Sequence, residues 1–108
     1  MLIPKAKNIR DKRHLKYVST LNCCLSFIGE CIGNIQAHHL LKPYDGVRGR
    51  SLRSGDNNTI PLCLFHHTEL HRYGNEDKYW TLKDRDVDFG RRMAKKIWEN
   101  YNESNKQK

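Results

Sequence analysis

Nine residues in the second half of the chain, Cys63 to His71, read C-L-F-H-H-T-E-L-H and carry Cys63, His66, His67 and His71. Thiol and imidazole are the side chains that hold zinc and its transition-metal neighbours, and a cluster this dense has few other uses. His67 and His71 stand four apart, so on a helix both rings project from one face and form a pincer. Upstream, Cys23, Cys24 and Cys31 lie in N-C-C-L-S-F-I-G-E-C-I-G-N, where Gly29 and Gly33 permit the tight turns of a metal-binding knuckle. One thiolate of the Cys23/Cys24 pair, with Cys31, Cys63 and His66, completes a tetrahedral site for structural zinc. Cys23 is the preferred ligand of the pair; the remaining cysteine is then a small buried hydrophobe. A further pair, His38 and His39, occupies a stretch that reads as a strand, where neighbours point to opposite faces. Both can serve one site only if the strand ends or bulges there.

The elements that must position these groups follow from patterning. Asp11 can cap a first helix whose apolar face is Leu15, Val18 and Leu21. Its basic side, Lys12, Arg13 and Lys16, fits a solvated face as well as a phosphate-contacting one. N-I-Q-A-H-H-L-L, between Gly33 and Pro43, predicts a strand from Ile35 to Leu41. T-I-P-L predicts a second strand that feeds straight into a helix from Cys63 to Tyr73, stopped at Gly74. Tyr79, Trp80 and Leu82 are expected to cover the core. A final helix from Asp86 to Asn102 carries Phe89, Met93, Ile97 and Tyr101 as a packing stripe, with Arg91, Arg92, Lys95 and Lys96 opposite. Residues 1–10 read as a loose basic arm and residues 103–108 as a disordered tail. The order strand, loop, strand, helix makes one small α+β domain over residues 1–108, with its core in residues 21–80.

The chain has 108 residues and a formal net charge of +8, and 37% of it is hydrophobic. A core of that size gains from a structural metal, and a polyanion is the natural partner for the charge. The long loop over residues 42–58 holds Arg48, Arg50 and Arg53 among glycines, which suits the phosphate backbone of a nucleic acid. No apolar run approaches the ~20 residues of a membrane span. The amino terminus lacks the apolar stretch of a secretory signal, so the expected compartment is the reducing cytoplasm, where the four cysteines favour metal ligation over disulfides.

In this order, A-H-H-L, D-N-N-T-I-P-L-C and C-x2-H-H-x3-H resemble the HNH endonucleases, the ββα-metal nucleases, and among them the small phage and prophage proteins related to recombination-enhancement nucleases. The match covers about Leu21 to Trp80. The resemblance implies a zinc-stabilised ββα-metal fold flanked by terminal helices. It makes His38, His67 and His71 the ligands of a catalytic divalent ion (Mg, Mn, Ni or Zn) and His39 the general base. Asn58 would brace the loop that orients that base. The chain departs from the family upstream, where Cys23-x7-Cys31 replaces a compact C-x2-C, and Asp56 stands where relatives carry an aspartate without an assigned role. The implied function is hydrolysis of DNA with little sequence preference in a bacterial host cell, by a phage- or prophage-encoded protein, with a recombinase or other recombination protein as a further partner. The alternative is a zinc-stabilised nucleic-acid-binding module or recombination adaptor without catalysis.

Overall fold

The structure, a computed structural model, describes residues 9–44 and 54–106. Arg48, Arg50 and Arg53 lie outside the described residues, as do residues 1–8 of the expected arm. The elements are α1 (Lys12–Ser19), β1 (Ile35–His39), β2 (Thr59–Cys63), α2 (Leu64–Tyr73), α3 (Glu76–Leu82) and α4 (Phe89–Lys106). The small α+β fold is a two-stranded antiparallel sheet with helices packed around it, and the register pairs Ile35 with Cys63, His38 with Ile60 and His39 with Thr59. Among the described residues, no helix is long and apolar enough to cross a membrane.

The core forms where β2, buried along its whole length, meets Leu25, Leu40, Leu70, Tyr79, Trp80 and Ala94. Pro61 is tolerated in β2 because its carbonyl still accepts from Cys24 N at 2.9 Å, which seats the cysteine knuckle on the strand. α2 begins on Cys63, whose Sγ accepts from the amide of His66 as an N-cap. It ends on Gly74 at φ +84°, a left-handed position suited to glycine.

Gly33 joins the knuckle to the sheet at φ +88°, and a Cβ there would lie 2.6 Å from Leu64 Cβ. The close approach presses the knuckle on α2, where Phe65 N donates to Ile32 O at 3.0 Å. Gly33→Ala is expected to cost about 3 kcal/mol, from the left-handed backbone and the clash together. Thermal unfolding would read this as a clear drop in Tm, and an unchanged Tm would contradict it.

Several elements differ from the sequence reading. β1 stops at His39 instead of Leu41, since Leu40 turns to donate to Asn58 O and Leu41 to the Glu76 carboxylate. Residues 9–10 are tied down, not loose: Asp56 N donates to Ile9 O at 2.8 Å, and Arg10 Nη1 to Ser54 O at 3.1 Å. Tyr79 and Trp80 are buried as expected, but on a helix, α3, and Leu82, the last residue of that helix, is 59% exposed. α4 starts later than Asp86, since the Asp86 and Asp88 carboxylates precede it and bind Arg92 and Arg91. It also runs past Asn102 to Lys106, no glycine or proline interrupting E-S-N-K, so the expected tail is helical that far.

The buried face of α1 is His14 and Val18, with Leu15 and Leu21 only half-buried. His14 is 0% exposed, wedged edge-on against Trp98 and Tyr101, and neither ring nitrogen has a hydrogen-bond partner among the described residues. Burial lowers its pKa below the ordinary 6.5, an effect only partly offset by the charges of Asp11 and Asp56. The unfolded chain therefore takes up this proton first as pH falls below about 6.5, and folding weakens on acidification. His14→Phe removes two unsatisfied nitrogens and is expected to stabilise by about 1–3 kcal/mol. It should also flatten the loss of stability between about pH 7 and 5. Denaturant midpoints at both pH values would check this, and equal or lower stability in the variant would contradict it.

Candidate metal centres

Two groups of ligand-type side chains converge in the fold. In the first, Cys23, Cys31, Cys63 and His66 place their ligand atoms within 4.8 Å of one another. His66 Nδ1 lies 3.2 Å from Cys63 Sγ, 3.5 Å from Cys23 Sγ and 3.8 Å from Cys31 Sγ. Cys24 stays outside this cluster, packed beside the core, and its burial raises its thiol pKa.

The electrostatics of these thiols suit a cation. Although Cys31 is an exposed residue, partial desolvation of its sulfur and then the hydrogen bonds and charges of Cys23 and Cys63 push its thiol up to about 12. Burial also opposes ionisation of Cys63, but hydrogen bonds from the backbone at His66 and Ile32 outweigh it and lower that thiol. One thiolate forms readily while the next is resisted, unless a positive ion sits among them. Burial lowers the pKa of His66 as well, leaving a neutral imidazole to give a lone pair, and its buried Nε2 has no hydrogen-bond partner among the described residues. Three sulfurs around one imidazole nitrogen fit tetrahedral zinc.

The second group is His38, His67 and His71, again with ligand atoms within 4.8 Å. α2 supplies the pincer: His67 Nε2 and His71 Nε2 are 3.0 Å apart. The His38 ring lies edge-on to both, at centroid distances of 5.1 and 5.7 Å. Burial, and then the charges of His38 and His71, lowers the pKa of His67 to about 4, so this imidazole is neutral at physiological pH. His38 is buried, His67 half-buried and His71 exposed, so the cluster opens to solvent on one side. Three nitrogen donors with an open side fit a divalent ion that keeps positions for exchangeable ligands.

His39 lies at the end of β1 and turns away from this cluster. Its Nε2 is 2.8 Å from Asp56 Oδ1. Asp56 is 3% exposed. Burial raises its pKa, but the hydrogen bond with His39, the donated amide of Asp11 and the charges of His39 and Arg10 outweigh this, so the carboxyl ends below its ordinary range. Asn58 is fully buried and braces the same loop, its Oδ1 accepting from Tyr44 N at 2.8 Å and its carbonyl from Leu40 N at 2.9 Å. Thr59 Oγ1 donates to Asp56 O and Ser54 Oγ to Leu40 O, so this buried polar segment is closely hydrogen-bonded.

Partners of the histidines were missed in the sequence. Gln36 Oε1 bonds His67 Nδ1, and the strand period of two could have flagged Gln36 because it shares a face with His38. Glu76 Oε1 lies 2.5 Å from His38 Nε2, and no local pattern links these residues, which meet only when α3 packs on the end of β1. Lys83 and Tyr79 bind Glu69, so the glutamate of H-H-x-E-L-H serves packing of α2 on α3.

No curated protein and no solved structure matches the chain. One family model, described as "Protein of unknown function (DUF968)", matches residues 1–100, which takes in every residue of both clusters, and the chain belongs to that family.

Proposed function

We propose that this protein is a metal-dependent endonuclease of the HNH, ββα-metal type, hydrolysing DNA phosphodiester bonds with little sequence preference. The observation that supports this best is the end of β1, where His38 joins a three-histidine cluster and the next residue, His39, is held by a buried carboxylate. Cys23, Cys31, Cys63 and His66 would hold a structural zinc, and His38, His67 and His71 the catalytic ion. An all-nitrogen set favours zinc, nickel, cobalt or manganese over magnesium. Such an ion supplies neutralisation of charge on the scissile phosphate and on the leaving oxygen.

The chain's own groups do the rest. His39 takes a proton from the attacking water as the new oxygen–phosphorus bond forms and the bond to the leaving 3′ oxygen breaks. Asp56 holds the ring through Nε2 and offsets its positive charge once protonated. Asn58 keeps the Asp56 segment in place across from β1. The net charge of +8 suits a polyanionic strand, with Arg48, Arg50 and Arg53 as proposed phosphate contacts. A recombination protein that presents DNA remains part of this proposal as a partner.

Nicking of supercoiled plasmid by purified protein, with magnesium, manganese, nickel or chelator, tests the reading. Cleavage that requires a metal supports it. Tight DNA binding without cleavage under any ion would replace it with a binding module.

A further inference from the structure

We infer that Glu76 is a positioning residue of the three-histidine centre: it holds the His38 ring with its proton on Nε2, so that Nδ1 offers the lone pair to the metal. The inference rests on the reading of His38, His67 and His71 as a metal site. Glu76 is 5% exposed, a rare setting for a carboxylate, and both its oxygens are engaged at the end of β1. Oε1 lies 2.5 Å from His38 Nε2, and Oε2 accepts from Leu41 N at 3.0 Å. An ionised carboxylate only accepts, so the imidazole must donate from Nε2.

On the other side of the cluster the arrangement is reversed. The Gln36 carbonyl oxygen accepts from His67 Nδ1, which leaves Nε2 of that ring for the metal. The two rings thus present opposite nitrogens, each set by a partner that is not itself a ligand. α3 supplies no ligand, yet through Glu76 it becomes part of the centre. Its anion makes His38 a stronger donor, and its bond to Leu41 fixes where β1 stops.

Two measurements on the full chain, with zinc kept in the cysteine site, test this. The first is the His38 tautomer by long-range proton–nitrogen NMR at mildly alkaline pH, before metal is added. A proton on Nε2 is expected, and a proton on Nδ1 overturns the inference. This needs no variant, so it decides even if substitutions at Glu76 impair folding. The second is cobalt titration of wild type, Glu76→Gln and His71→Ala, with cysteine-site zinc and Tm followed in parallel. Glutamine loses the charge and one of the two accepting oxygens. Glu76→Gln is expected to bind cobalt about 10–100-fold more weakly, with zinc content retained. Affinity equal to wild type overturns the inference while leaving the metal site standing. If wild type takes up no cobalt that His71→Ala removes, the metal site itself is wrong and the inference goes with it.

Discussion

His39→Ala is expected to lower metal-dependent nicking of supercoiled DNA by about 10²–10⁴-fold, while leaving zinc content, cobalt uptake and helical content at wild-type values. The expectation follows from the way β1 ends. Neighbours on a strand point to opposite faces, and the variant removes a ring bonded to Asp56 that is not one of the three clustered ligand histidines. The His39 side chain is only 14% exposed, but it sits at the strand's last position rather than in the core, so truncation there should not unfold the domain. A parallel fall in zinc content or helicity would move the residue into a structural role. Cleavage at the wild-type rate in a clean preparation would remove His39 from the chemistry altogether.

The ligand residues were legible in the sequence because their spacing is local. His67 and His71 at a helical interval, and Cys63 and His66 across a helix start, are fixed by the backbone geometry of α2. The second half of each cluster comes from more distant segments, and there the sequence gives only a narrow preference, for Cys23 over Cys24, which the cluster bears out. Whether Cys23 or Cys24 joined Cys31 depended on the turn by which Cys24 N reaches Pro61 O, a contact across 37 positions that no spacing rule contains. Asp56 was visible but had no role, because its meaning lies in a bond to His39 and another to Asp11 N. Glu76 was not visible as a site residue at all. Its neighbours on α3 carry the apolar pair Tyr79 and Trp80, so the stretch read as core cover, and the helix that brings its carboxylate to His38 was not anticipated.

The elements that were misplaced share one cause. β1 was expected to reach Leu41 on hydrophobicity, and it stops at His39 because Leu40 and Leu41 give their amides to Asn58 and Glu76. His14 is the outlying histidine in sequence and is fully buried with no hydrogen-bond partner for its ring among the described residues, because α1 needs a flat ring against Trp98 and Tyr101 to pack on α4. In both places tertiary contacts override a local preference, as they do most often where polar groups are buried.

Cys63→Ala is expected to unfold the domain, and His71→Ala to abolish cleavage with the fold intact. Cys63 belongs to the cluster that joins the knuckle, β2 and the start of α2, and its sulfur also caps that helix. Zinc binding by such sites is worth about 10–16 kcal/mol near neutral pH, against a total stability of about 5–15 kcal/mol for a domain. If the proposed zinc holds this cluster, loss of a ligand that releases it would remove more than the rest of a 108-residue chain can supply. His71 is different: it is an exposed side chain in the last turn of α2, so its removal should change stability by only about 0.5 kcal/mol. Its removal takes away one arm of the pincer, and with it the proposed second metal site. Far-UV circular dichroism, zinc content and plasmid nicking on both variants, beside wild type treated with chelator, separate the two roles. Chelation strong enough to strip the cysteine site should reproduce Cys63→Ala, and milder chelation should reproduce His71→Ala. If His71→Ala unfolds the protein as completely as Cys63→Ala does, the division into a structural and a catalytic centre is mistaken.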